Sequence, residues 1–186
     1  MQPYSILSEL EKVKDLDRPP VHLWHPENVK DIEMVIRKDG VWEYMSGPIL
    51  RQRLVRLFST VLRKDPDGHY YLVTPVEKCR IQVEDAPFIG VLLEQDGSGE
   101  EQVLSLTTNM AEKVNIDTDH PLSVLIDEAT GEPSPYVEIR DGLNARLNRN
   151  VYYQLMDLVV EQQQEVGVVY GIWSSGTFFE VLSAPV

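Results

Sequence analysis

Residues 31–44 read Asp31-Ile32-Glu33-Met34-Val35-Ile36-Arg37-Lys38-Asp39-Gly40-Val41-Trp42-Glu43-Tyr44. Ile32, Met34 and Ile36 share one parity, the period of a strand with one buried face, and Lys38-Asp39-Gly40 is a turn signal leading into a second run. The stretch predicts a β-hairpin. Downstream, Ser46-Gly47-Pro48 reads as a helix start, and Ile49, Leu50, Leu54, Leu57, Phe58 and Val61 continue at helical spacing. Lys64-Asp65-Pro66-Asp67-Gly68 then ends that helix in a turn. His69 to Val73 and Val76 to Val83 follow as strands, the second with Cys79, Ile81 and Val83 alternating with Lys78, Arg80 and Gln82. One of its faces is apolar and the other is wet or bound. Upstream, Ile6, Leu7, Leu10, Val13 and Leu16 fall at three- and four-residue spacings, an amphipathic helix that Pro19-Pro20 terminates.

The same order of elements recurs in the second half. Tyr136 to Arg140 is a strand, Asp141-Gly142 a two-residue turn, Leu143 to Leu147 a strand, Asn150 to Gln164 a helix, and Val168 to Val181 a hairpin turning near Ser175-Gly176. Setting Asp141-Gly142 under Asp39-Gly40 pairs Val41 with Leu143, Met45 with Leu147, Ser46 with Asn148, Ile49 with Val151 and Leu54 with Met156 without a gap. Before the turn, one residue is skipped, as an extra Lys38 in the first loop would require. The expectation is an α+β protein of two similar subdomains, each an antiparallel sheet with one packed helix, produced by an internal repeat. Residues 1–20 form an N-terminal helical arm, 21–85 the first subdomain and 86–186 the second. The middle segment, Ala86 to Asp127, adds strands around a Gly97-Ser98-Gly99 turn.

With 186 residues, 42% hydrophobic and 25% charged, the chain has the composition of a folded protein. A chain of this size buries roughly 70% of its extended surface, enough to fold without disulfide or metal staples. Seventeen basic against 30 acidic residues give a net charge of −13, which disfavours nucleic acid and anionic membrane as partners. The single cysteine, Cys79, permits no intrachain disulfide and no thiolate zinc cluster. Neither a signal peptide nor an apolar span is read, and a cytoplasmic location is expected.

Motifs for nucleotide or nucleophile chemistry do not occur: there is no G-x-S-x-G, no G-x-x-x-x-G-K-[ST] and no G-x-G-x-x-G. No cofactor and no metal are expected. His22 and His25 are three apart, but the prolines around them argue for surface histidines flanking a tryptophan rather than metal ligands. Glu84 and Asp85 are adjacent, so on a strand they face opposite ways. Charge distribution is more informative. Between Arg37 and Lys64, seven basic residues oppose two acidic ones, a local +5 that leaves −18 on the rest of the chain. A second basic group, Arg140, Asn144, Arg146, Asn148 and Arg149, is followed by Tyr152-Tyr153; on one sheet face it would suit carboxylate or phosphate.

Several runs taken together resemble a bacterial family known as domain of unknown function 1285. They are Pro19-Pro20-Val21-His22-Leu23-Trp24; Asp39-Gly40-Val41-Trp42-Glu43-Tyr44; Pro48-Ile49-Leu50-Arg51; and Leu54-Val55-Arg56-Leu57-Phe58. Further along come Tyr71-Leu72-Val73-Thr74-Pro75-Val76-Glu77-Lys78, Val83-Glu84-Asp85-Ala86-Pro87-Phe88, and Arg140-Asp141-Gly142-Leu143-Asn144-Ala145-Arg146-Leu147 with Val151-Tyr152-Tyr153. The resemblance covers the chain from about Pro19 onward. It implies an α+β protein with repeated motifs in two subdomains, no established enzymatic activity, and a part in signal transduction through ligand or partner binding. It supplies no catalytic residue.

The functional expectation is a non-enzymatic protein that binds an anionic small molecule or a protein partner at the seam between the repeats. The candidate ligand-binding residues are Arg37, Glu77, Lys78, Arg140, Asn144, Arg146 and Tyr152. Two rival readings stand beside it: a hydrolase-like enzyme using Glu77 or another carboxylate with Lys78 and Arg140, and a structural homo-oligomer joined through the N-terminal helix.

Overall fold

Two DG turns organise the two halves of the molecule, and they differ by one residue. In the computed structural model, which describes residues 4–13, 18–165 and 167–183, the first hairpin joins β1 (Val29–Ile36) to β2 (Trp42–Tyr44). Its loop has three residues: Arg37 N donates to Val41 O at 2.8 Å, Gly40 N donates to Arg37 O at 2.9 Å, and Gly40 takes φ 87°. The second joins β11 (Pro133–Arg140) to β12 (Leu143–Leu147) through Asp141 at φ 47° and Gly142 at φ 76°, a two-residue turn. Lys38 is therefore the inserted residue. Asp39 Oδ1 accepts from Val41 N at 3.0 Å, whereas at the second turn the side-chain acceptor is Glu138, which takes Gly142 N at 2.9 Å.

The chain divides into two units, residues 1–86 and 87–186. The first contains α1 (Tyr4–Val13), the first hairpin, β3 (Gly47–Pro48), α2 (Gln52–Thr60), β4 (Leu62–Lys64), β5 (Tyr70–Val73) and β6 (Lys78–Val83). Its six strands run in the order β3-β2-β1-β6-β5-β4, with β1 and β6 parallel and every other neighbour antiparallel. The second unit holds β7 (Phe88–Asp96), β8 (Val103–Thr108), β9 (Lys113–Asn115) and β10 (Leu122–Ile126) besides the second hairpin. Its six-stranded sheet, β10-β11-β12-β7-β8-β9, again has one parallel pair, β12 with β7. Then come α3 (Arg149–Met156), β13 (Val160–Gln164), β14 (Gly167–Ser174) and β15 (Thr177–Ser183), the last three forming a separate antiparallel sheet.

The architecture is thus α+β, with two similar six-stranded sheets and a helix in each unit. Both sheets are mixed rather than wholly antiparallel. The recurring order is hairpin, helix, three-strand meander, but the meander is used differently. In the first unit it completes the sheet through β6; in the second, β7 to β10 complete the sheet and the meander forms its own. Buried Ser174 joins the two sheets of the second unit, donating its hydroxyl to Ile116 O at 2.6 Å and accepting Leu104 N at 3.0 Å.

Three helix boundaries depart from the periodic reading. Ser46-Gly47-Pro48 does not start a helix: Met45 (φ 49°) and Ser46 (φ 64°) form a hairpin turn, and Gly47–Pro48 pairs back on Tyr44 and Glu43 as β3. The gapless self-match consequently fails after Met45. Asn148 does begin α3, its side chain accepting from Val151 N at 2.9 Å, but Ser46 caps nothing and α2 starts six residues later. At its far end α2 stops at Thr60, because Leu62 is fully buried as part of β4 and pairs with Leu72. The helix expected over 150–164 ends at Met156, and the Glu-Gln run beyond it is the edge strand β13. Residues 14–16 of the expected N-terminal helix lie outside the described residues.

In the first core, Trp42 from the hairpin and Phe58 from α2 are both buried and stack with ring centroids 6.3 Å apart. Val55 and Phe58, one helical turn apart, face inward, while Arg51, Arg53 and Arg56 face solvent. Val151 and Leu155 do the same for α3. No helix among the described residues is long and apolar enough to cross a membrane.

Candidate functional site

The wet face of β6 is where charged side chains gather in the first unit. Pairing of β5 with β6 sets Tyr71 opposite Arg80, pairing of β4 with β5 sets Arg63 opposite Tyr71, and the parallel β1 sets Asp31 beside Arg80. Register alone therefore lines Arg63, Tyr71, Arg80 and Asp31 across four strands on one face. The turn Asp65-Pro66-Asp67-Gly68 closes the β4–β5 hairpin, with proline setting one φ and Gly68 taking φ 82°.

From that turn a continuous polar network spreads over the face. Arg63 Nε donates to Asp65 Oδ1 at 2.5 Å, and its Nη1 donates to the carbonyls of Val21 and Trp24, both at 2.7 Å. Lys78 Nζ donates to Asp65 Oδ2 at 2.7 Å and lies 4.3 Å from the centre of the Tyr71 ring. Tyr71 donates its hydroxyl to Asp67 at 2.7 Å, and Asp67 also accepts His69 N at 2.9 Å. His69 Nδ1 accepts from Arg80 Nη2 at 3.2 Å, since a guanidinium has no acceptor to offer.

Beside this network lies a groove of about 650 Å³, lined by Asp31, His69, Tyr70, Arg80, Gln82 and Glu84 together with Ile32, Gly68, Ile81 and Val83. That is the volume of a small-molecule site. Glu84 is committed, accepting from Arg37 Nη1 at 2.7 Å and from Lys38 N at 2.8 Å. Arg37 also donates to Glu43 at 2.6 and 2.8 Å. Arg80 differs. Among the described residues no carboxylate lies within ion-pairing distance of its guanidinium, whose one hydrogen-bonded partner there is the His69 ring.

Three carboxylates around the groove, Glu84, Asp67 and Asp65, are held ionised. The Arg37 guanidinium, then the Lys38 N–H, keep Glu84 below the usual carboxylate range. For Asp67 the His69 N–H and the Tyr71 hydroxyl do the same. Burial pushes Asp65 up, but hydrogen bonds from Arg63 and Lys78 outweigh it and leave the group depressed. The stability these three contribute is fully present above the unfolded carboxylate value near 4 and is lost as pH falls through their lower folded values. The first unit is expected to hold its stability from neutrality down to about pH 4 and to lose it below. Asp65→Asn should flatten that acid limb in denaturation followed by tryptophan fluorescence; an unaltered limb would contradict the assignment.

The residues singled out in the sequence fall into separate arrangements. Arg37 stands at the groove through Glu84, and Lys78 belongs to the network through Asp65. Glu77, only 3% exposed, accepts from Lys30 Nζ and has its other carboxylate oxygen buried without a partner among the described residues. Glu77 and Lys78 thus serve different partners on different faces. Cys79, next along β6, is buried, and burial with the Glu77 charge pushes its thiol up to about 11.

In the second unit, Arg140 donates to both oxygens of Glu112 at 3.1 and 3.2 Å and lies 5.3 Å from the Phe88 ring centre. A register shift between Glu138 and Arg140 pairs Arg140 with Leu143, on the face of Ala145 and Phe88. Asn144 and Arg146, paired with Glu138 and Tyr136, occupy the opposite face, where Arg146 reaches Ser134 Oγ at 3.2 Å. The shared parity of 140, 144 and 146 therefore does not give a shared face. Tyr152 is half-buried on α3, its ring 5.8 Å from that of Tyr153.

Asp31, His69 and Arg80 lie outside the binding residues that the sequence suggests. The alternation of β6 did mark Arg80 as facing solvent or a ligand, but only the parallel partner strand and the long turn bring Asp31 and His69 to it. His22 and His25 are exposed on either side of a half-buried Trp24, and no group of three metal-ligating side chains occurs among the described residues.

Residues 19–86 match the family model for the N-terminal domain of DUF1285, a domain of unknown function, and residues 87–181 match that for its C-terminal domain. A crystal structure of a DUF1285 family protein from Silicibacter pomeroyi DSS-3 is similar with a TM-score of 0.87 and 42% identity, covering 96% of this chain and 94% of that one. Another, from Shewanella baltica OS155, has a TM-score of 0.53 and 29% identity over 67% of this chain and 90% of that one. No curated protein matches the chain. With both halves matched in order and a close structural counterpart within the same family, the chain belongs to the DUF1285 family.

Proposed function

We propose that this is a cytoplasmic binding protein without catalytic activity of its own, which takes a small anionic ligand in the groove over β1, β6 and the start of β5. A part in signalling is the role we assign to it. The observation that carries this reading is Arg80: in a chain with 30 acidic residues, this groove-lining guanidinium has, among the described residues, an imidazole as its hydrogen-bonded partner. A guanidinium presents five donors in a planar fork suited to carboxylate or phosphate, and at Arg80 one of them is used on His69.

The charge of the two units supports the same location. Residues 1–86 carry 13 basic and 14 acidic side chains, a net of −1, while residues 87–186 carry 4 and 16, a net of −12. An approaching anion is repelled far less by the first unit. The groove lining includes no serine, threonine or cysteine to act as a nucleophile, which favours binding over covalent chemistry.

A thermal-shift screen with inorganic phosphate and small mono- and dicarboxylates at low and moderate salt tests the proposal. An anion at a hundred times its dissociation constant should stabilise the protein by about 2.7 kcal/mol, or roughly 5 °C or more. Arg80→Gln should weaken the same anion roughly 10- to 100-fold, the usual worth of hydrogen bonds to a charged group. Equal shifts in wild type and variant would place the anion elsewhere.

A further inference from the structure

The groove holds a second charge as well as Arg80. Asp31 and Arg80 are Cα partners in the parallel pairing of β1 with β6 and so lie on neighbouring strands. They form no ion pair within 4 Å. Arg80 instead extends away from β1, across β6, to His69 at the start of β5. Both side chains are exposed and both line the groove. Glu84, the other acid of the lining, is neutralised by Arg37. Asp31 has no basic partner within ion-pairing distance among the described residues.

The groove is therefore dipolar. Its positive pole lies toward β5 and its negative pole on β1, with β6 between them; neighbouring strands are about 4.8 Å apart, so the poles stand roughly 5–10 Å from each other. A purely anionic ligand satisfies one pole and leaves the Asp31 carboxylate facing it. A ligand with an ammonium at the other end satisfies both.

Resting on the anion-binding reading, we infer that the ligand is an aminocarboxylate, with its carboxylate on Arg80 and its ammonium on Asp31. With a hydrogen bond of about 2.8 Å at each end, a ligand whose two charges stand a few ångström apart spans poles at that separation.

Calorimetric titration with 6-aminohexanoate and hexanoate separates the possibilities. The expected result is that 6-aminohexanoate binds the wild-type protein about tenfold or more tightly than hexanoate. Asp31→Asn should bring 6-aminohexanoate down to the affinity of hexanoate and leave hexanoate unchanged or better, while Arg80→Gln should weaken both. Equal binding of hexanoate and 6-aminohexanoate to the wild type overturns the aminocarboxylate inference and leaves the anion-binding reading in place. So does an Asp31→Asn variant that retains the preference. Failure of both compounds to bind, with phosphate and dicarboxylates also silent, overturns the two together.

Discussion

Phe58→Ala should lower the stability of the first unit by about 3–5 kcal/mol, the cost of emptying a filled aromatic site. Phe58 is 1% exposed and stacks on Trp42, itself 2% exposed, so truncation removes the contact through which a nine-residue helix is fixed to the hairpin. An isolated helix of that length has little stability of its own in water. α2 further carries Arg51 and Arg53 at its N-terminal end, where the helix dipole disfavours positive charge, and its first residue has no side-chain cap. Packing is what holds it. Phe58→Leu, which leaves most of the volume, should cost much less. Urea denaturation followed by tryptophan fluorescence gives the ordering, and a Phe58→Ala midpoint equal to wild type would show that the helix is held by something other than the Trp42 stack.

Gly171→Ala should be almost as damaging in the second unit, about 3 kcal/mol, by overpacking rather than by cavity formation. A methyl group on Gly171 would overlap Phe178 Cζ and lie 2.5 Å from the carbonyl oxygen of Phe179. The ring could turn aside, but the carbonyl is backbone of β15, the strand paired with β14, and cannot move without breaking the ladder. Gly90→Ala is the internal comparison. There the new methyl meets only the side chain of Leu106, at 2.9 Å, and a rotamer change relieves it at lower cost. A Gly171→Ala protein as stable as Gly90→Ala, by hydrogen exchange of the β14 and β15 amides, would contradict the close pairing of β14 with β15 at that position.

Much of this fold is legible in the sequence wherever a local signal coincides with the tertiary one. Asp39-Gly40 and Asp141-Gly142 specify their turns through the left-handed backbone that glycine permits, and the one-residue difference between the loops follows from counting alone. The alternation of Cys79, Ile81 and Val83 likewise marks the buried face of β6. What fails is the assignment of apolar runs whose spacing suits helix and strand alike. Leu62-Arg63-Lys64 continues a helical pattern from Leu54, yet Leu62 gains more by pairing with Leu72 in the sheet than by extending a short helix. Gly47-Pro48 resembles a helix start, but the tight turn at Met45-Ser46 claims it.

The candidate site was legible only in half. Runs of basic residues drew attention to Arg37 and to the second hairpin, and in the structure Arg37 is neutralised by Glu43 and Glu84 and Arg140 by Glu112. Sequence proximity cannot show neutralisation by carboxylates 28 or 47 residues away. The converse holds for Arg80, which sits among ordinary strand residues and becomes distinctive because its sheet neighbour, Asp31, does not pair with it. A bulge one residue long also moved Arg140 to the face opposite Asn144 and Arg146, a change no periodicity could indicate.

Amide chemical-shift mapping of the ¹⁵N-labelled protein, during titration with 6-aminohexanoate and, separately, with phosphate, locates the ligand on the molecule. Saturable shifts confined to the amides of residues 31–32, 68–70 and 80–84 are expected in the wild type, and their loss in Arg80→Gln. Saturable shifts elsewhere in the chain, with those segments unmoved, would show that the groove over β6 is not the binding site.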